Sequence, residues 1–98
     1  MARIELAPEV AEDLELILDH VQRHQAEHVD SRMREIIHAI DVLQTNPLIG
    51  QPVSNDRREL VIGRESLGYL ALYRYVREID TVFVLAVRAQ REAGFVRP

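Results

Sequence analysis

Three residue types are missing from the chain altogether, cysteine, lysine and tryptophan, and the first two exclude the most chemistry. Without cysteine there are no disulfide staples, no thiolate metal ligands and no cysteine nucleophile, and the redox compartment is left open. Without lysine no side-chain amine can act as a general base, and all twelve Lys or Arg positions are planar, permanently charged guanidinium groups. Long apolar runs are missing too, since nothing approaches the ~20 residues of a membrane-spanning helix. The opening Met1-Ala-Arg-Ile-Glu-Leu places charges where a signal peptide needs an apolar stretch, so a soluble, cytoplasmic protein without a membrane partner is expected. A length of 98 residues with 47% apolar side chains suits a single domain, 1–98, built on one core.

What charge there is lies unevenly. The net charge is −4, yet residues 1–46 carry four Arg against ten Asp or Glu, while residues 47–98 carry eight Arg against six acids. Any anion-facing surface therefore belongs to the second half. An acidic chain of this size is poorly suited to nonspecific nucleic-acid binding, which rests on neutralising several phosphates with a basic surface, so direct nucleic-acid binding is not expected.

The periodicities describe an α+β plan. Arg3 to Leu6 reads as a short strand. Pro8 opens a helix of roughly 8–24, with Glu9, Glu12 and Asp13 early and His20, Arg23 and His24 late, a charge order that complements the helix dipole. Val10, Leu14, Ile17, Leu18 and Val21 draw its apolar stripe, and Val29, Met33, Ile36, Ile37, Ile40 and Leu43 draw another along a helix of about 27–45. Asn46-Pro47 ends that helix, Gly50 and Pro52 punctuate a loop to about Arg57, and Glu59 to Ile62 forms the next strand. Gly68 to Val76 and Thr81 to Arg88 then pair as a hairpin across Arg77-Glu78-Ile79-Asp80. The predicted architecture is an N-terminal strand and a two-helix hairpin packed on a small, largely antiparallel sheet of four strands.

Neither face of the hairpin is polar. Tyr69, Ala71, Tyr73 and Tyr75 alternate with Leu70, Leu72 and Val76, and Phe83, Leu85 and Val87 alternate with Val82, Val84 and Ala86. A sheet with one wet face alternates apolar with polar residues, so this one requires cover on both sides. If the helices take one face, the other presents either the Tyr series or the Leu series to a partner. Tyr and Arg are the side chains that most often anchor interfaces, which selects Tyr73, Arg74, Tyr75, Arg88 and Arg91 as contacts, with Phe95 either docking the tail or touching a target. A symmetric homodimer is the competing occupant.

The element order, with Ala11-Glu12-Asp13-Leu14, Ala39-Ile40-Asp41-Val42-Leu43, Asn46-Pro47 with Gly50 and Pro52, the Tyr69 to Tyr75 strand, and Arg88-Ala89-Gln90-Arg91-Glu92, resembles the RelE/ParE superfamily of type II toxins. That resemblance covers essentially the whole chain. It implies a toxin neutralised by a cognate antitoxin, with the first strand beside the last. Ribosome-dependent ribonucleases of the superfamily resemble proteins with a Lys-x-Lys pair in the second strand, an Arg after the Gly-Tyr of the third, an Arg near the end of the fourth and a Tyr after it. The matching positions here are Val61 and Gly63, then Leu70, Arg91 and Arg97, with Phe95 nearby. Cleaving RNA needs a proton acceptor, a proton donor and cations for the transition state, which Val61 and Leu70 cannot supply. By resemblance, the ParE-like branch fits better: a noncatalytic inhibitor that binds DNA gyrase, with no catalytic residue, no cofactor and no metal. Within the same resemblance, the alternatives are an mRNA endoribonuclease relying on Arg88, Arg91 and Arg97, or a nontoxic interaction module.

Other motifs carry less. His20, His24 and His28 are spaced by four, but the intervening sequence lacks the Glu of a zinc-protease motif, so they read as solvated helix-end residues. Arg57-Arg58 reads as a solvated dibasic pair.

Overall fold

The protein is described here from a computed structural model covering residues 1–63 and 68–90. Strand β1 (Arg3–Leu6) leads into helix α1 (Pro8–His24), a short 3-10 turn (Ala26–His28), helix α2 (Val29–Val42) and strands β2 (Gln51–Pro52), β3 (Arg58–Ile62), β4 (Tyr69–Val76) and β5 (Thr81–Ala89). The sheet order is β1-β5-β4-β3-β2, with β1 parallel to β5 and the other pairs antiparallel. The sheet thus has five strands where four were expected. Gln51 pairs with Glu59 and Pro52 with Arg58, a ladder too short and too proline-marked to be seen as a strand in the sequence.

Helix α1 begins where predicted, with Pro8 in the first turn and Ala7 as an extended N-cap lacking a side-chain bond. Helix α2 starts two residues later and ends three earlier than the predicted 27–45, because the chain around 26–28 tightens into the 3-10 turn and Leu43 leaves the α-helix. Val10, Ile17 and Val21 of α1, and Ile36 and Ile40 of α2, are buried against one sheet face, each contributing roughly 1.5–3 kcal/mol by leaving water. Ile37, assigned to the stripe, is 55% exposed and faces away from the core.

The face the helices cover is the tyrosine face. Tyr69, Ala71 and Tyr73 of β4 are buried there with Ile62 of β3 and Val82, Val84 and Val87 of β5. The step from Val84 to Val87 breaks strict alternation because Tyr73 pairs with Val84 while Leu72 pairs with Ala86, which leaves Leu85 as the extra residue of a β-bulge. The predicted grouping of Phe83, Leu85 and Val87 on one face is therefore corrected: Val87 joins Val82 and Val84 in the core.

Burial pushes the Tyr69 and Tyr73 hydroxyls above their ordinary value of 10.0, with nearby Arg32 and the Gly50 N–H respectively offsetting part of the shift. The folded state holds these protons at a pH where the unfolded chain has lost them. Their contribution is thus fully present below about pH 10 and is lost as pH rises through the folded values. Urea melts should superimpose between pH 8 and 9 and shift to lower midpoints above pH 10, and the loss should shrink in Tyr73→Phe.

Candidate functional site: the open sheet face and its two ends

On the face opposite the helices, Val61 of β3 pairs directly with Leu70 of β4, and Leu70 pairs in turn with Arg88 of β5. Leu72 stands opposite Ala86 and Arg74 opposite Phe83. Val61 is 58% exposed, and Leu70, Leu72, Phe83 and Leu85 are half-buried. Among the described residues no helix covers this face, so it presents carbon across three strands, bordered by Arg74 and Glu59.

At one end of the sheet, α1 is locked to β5. The backbone N–H of Val87 donates to Asp13 Oδ2 at 3.0 Å, and Arg88 Nη1 donates to Asp13 Oδ1 at 2.5 Å. The last β1 partner on β5 is Val84, so Asp13 takes up a donor beyond the end of that ladder. Asp13 is buried, and its position explains why: with Val10, Ile17 and Val21 it forms the inward face of α1. A carboxylate inside an apolar stripe was the sequence signal for this contact, and periodicity counted on hydrophobic residues alone passed over it.

At the other end, Tyr73 reaches the loop after α2. Its hydroxyl accepts a 2.8 Å hydrogen bond from the Gly50 N–H, and Arg58 Nη1 donates to the carbonyls of Gly50 and Leu48 at 2.7 and 3.1 Å. Arg58 is thus half-buried and tied to backbone, while Arg57 stays exposed. Tyr75 donates to Asp80 Oδ1 at 2.6 Å, a bond that holds its hydroxyl proton and pushes its pKa above the ordinary value. Asp80 sits in the left-handed region at φ 47°, closing the hairpin through the 3-10 turn Arg77–Ile79.

A family model described as the ParE toxin of the type II toxin-antitoxin system parDE matches residues 4–94. The chain belongs to the ParE toxin family. Among solved structures it is similar to the chromosomal ParDE toxin-antitoxin system from P. aeruginosa, with a TM-score of 0.76 at 22% identity, covering 91% of this chain and 96% of that one. It also resembles the archaeal RelE-RelB complex from Pyrococcus horikoshii OT3 (TM-score 0.53, 14% identity, 91% and 94% covered). A metal-bound toxin from Helicobacter pylori is similar at TM-score 0.53 and 15% identity, with 94% and 98% covered. No curated protein matches the sequence. As a ParE-family chain it is the toxin component of a type II toxin–antitoxin system.

Among the described residues, the candidate contacts of this ParE-family toxin, Tyr73, Arg74, Tyr75 and Arg88, do not form one surface. Tyr73 is 0% exposed, which corrects its place among the contacts: it is a core residue held by Gly50. Arg74 projects on the open face and pairs with Asp56 at 3.1 Å. Tyr75 lies at the hairpin end, and Arg88 is turned to Asp13. Arg91 and Phe95 lie outside the described residues, as does Arg97. His20 and His24 are exposed with ring centroids 4.6 Å apart, and among the described residues no group of three or more His, Asp or Glu is placed to hold a metal ion.

Proposed function

We propose that this toxin acts in the cytoplasm by binding DNA gyrase, without catalysing RNA cleavage, and that its antitoxin neutralises it by covering the open sheet face. The reading is carried by the Val61–Leu70 pair. The superfamily resemblance assigns RNA-cleaving groups to these two positions, and here they meet as carbon side chains on the open face. Arg88, the nearest cation in register, has its charge engaged by the buried Asp13 carboxylate. A surface of this kind can bury apolar area against a protein, and among the described residues its centre carries no proton donor or acceptor.

The fold class shared with the ParDE and RelE-RelB structures supports, at the level of architecture, a toxin that is covered by an antitoxin. An antitoxin segment laid over β3, β4 and β5 would remove the exposed Val61 from water, and a second copy of the chain is the competing occupant.

The test is to purify the untagged protein free of antitoxin and assay gyrase supercoiling and DNA cleavage beside ribosome-dependent RNA cleavage. Inhibited gyrase with accumulated cleaved DNA and intact RNA is expected. Cut RNA with unaffected gyrase would overturn the proposal, and inactivity in both assays would favour a nontoxic interaction module.

A further inference from the structure

Nine arginines lie among the described residues, and five of them, Arg3, Arg23, Arg32, Arg74 and Arg88, are within salt-bridge distance of a carboxylate. Of the other four, three line a single cleft of about 230 Å³ at the β2 end of the sheet: Arg57, Arg58 and Arg77, with Leu48, Pro52 and Tyr75. The acid in its wall, Asp56, is paired with Arg74. Arg58 is fixed by two backbone carbonyls, which hold its guanidinium in place without neutralising it. Apart from Arg34 on α2, the arginines elsewhere among the described residues are matched with acids, and here three are collected with no carboxylate of the described residues within salt-bridge distance.

We infer that this cleft binds an acidic segment of a partner protein, one that places carboxylates on Arg57 and Arg77 and an apolar side chain against Leu48. Leu48, 48% exposed, and Pro52 line the cleft with the arginines, so apolar and cationic side chains share its wall. That pairing suits a peptide with alternating acid and aliphatic residues better than a nucleic-acid backbone. A polyphosphate strand needs a run of cations, and the neighbouring Arg74 is already neutralised on a chain of net charge −4. Guanidinium forks also match carboxylates in planar, two-bond geometry. Pro52 has no N–H to offer a strand added at the β2 edge, so the segment is held by its side chains more than by a backbone ladder. In naming the antitoxin as the natural source of the segment, the inference rests on the toxin reading above; the binding chemistry does not.

The experiment is a titration of the full-length 15N-labelled chain, followed by amide shifts, with four probes: a capped nonapeptide alternating Glu and Leu, its Gln counterpart, inorganic phosphate and a twelve-nucleotide thymidine strand. The Glu peptide should bind saturably, moving amides of Ser54 to Arg58, Tyr75 and Arg77, and should bind at least tenfold more tightly than the Gln peptide. The double variant Arg57→Gln/Arg77→Gln should lose at least tenfold in affinity with an unchanged circular dichroism spectrum. Absent or displaced shifts, equal binding of the Gln peptide, or an intact double variant would overturn the inference. So would phosphate or the thymidine strand binding the cleft as tightly as the peptide, since the site would then read phosphate. Gyrase and antitoxin are absent from the titration, so its failure leaves the gyrase assay standing, and failure of that assay leaves this one.

Discussion

Asp13→Ala should cost the fold about 2–4 kcal/mol, well above the cost of Arg88→Ala. The asymmetry follows from what each side chain does. Asp13 accepts from two donors, the Val87 N–H and the Arg88 guanidinium, and its removal orphans both. A buried backbone N–H without a partner costs about 1–3 kcal/mol by itself. The rest comes from leaving the Arg88 charge without its carboxylate, discounted because the Arg88 side chain is 29% exposed and can turn to water. Arg88→Ala leaves Asp13 with the Val87 N–H still bonded, and about 1–2 kcal/mol is the expected cost. Asp13→Asn should fall between the two, since an amide oxygen can serve one donor while its NH2 group meets the other. Urea denaturation of the three variants measures the order directly. Equal costs for Asp13→Ala and Arg88→Ala would mean that the ion pair, and not the bond from the Val87 N–H, carries the stabilisation. The consequence reaches function, because this contact positions the end of β5 where Arg88 stands opposite Leu70.

The elements with a strong local signature were legible from residue order alone. Pro8 and the charge polarity of 8–24 marked α1 to the residue, since both reflect the unpaired groups at helix ends. The hairpin strands were legible because their β-branched and aromatic runs are long. What escaped had no local signature. The two-residue β2 exists only through its ladder with β3. The bulge at Leu85 exchanges which residues face the helices, and it was invisible because both faces of β5 are apolar. A polar residue in the alternation would have revealed the shift; Val, Phe and Leu serve either face equally well.

The candidate site was legible in its residue types and less so in its geometry. Interface propensity picked out Tyr73 and Arg88, yet one is sealed in the core and the other is spoken for by a carboxylate 75 positions away in sequence. Arg57 and Arg58 read as a solvated pair, because a loop sequence says nothing about whether acids lie nearby. Only the fold brings Arg77 of the hairpin turn beside them and turns Asp56 toward Arg74. Matching of charges is a tertiary property, and the unmatched cluster emerges only once the acids around it have been given their partners.

Gly50→Ala should be among the most destabilising single-methyl additions in the molecule, costing about 3 kcal/mol. A Cβ at Gly50 would lie 2.6 Å from Tyr73 Cε1, 2.7 Å from the Tyr73 hydroxyl and 3.0 Å from the Glu59 carbonyl oxygen. None of these can give way cheaply. The ring is buried among the core side chains, its hydroxyl is bonded to the Gly50 N–H itself, and the carbonyl belongs to β3. Tyr73→Phe should cost about 1–3 kcal/mol by orphaning that N–H, and Tyr73→Ala about 3–5 kcal/mol by emptying the ring's site. Against a total stability of about 5–15 kcal/mol for a domain of this kind, each is a large fraction. The two positions should also be coupled. Moving the loop to admit the added methyl breaks the same hydrogen bond that Tyr73→Phe removes, so the double variant should be less destabilised than the sum of the single ones. A thermodynamic cycle over Gly50→Ala and Tyr73→Phe checks this, and strict additivity would mean that the Gly50 contact acts on Glu59 instead of Tyr73. Because Arg58 bonds to the carbonyls of Leu48 and Gly50, the displaced loop should also carry the wall of the arginine cleft with it. Binding of the acidic peptide should therefore weaken in Gly50→Ala even under conditions where the variant remains folded.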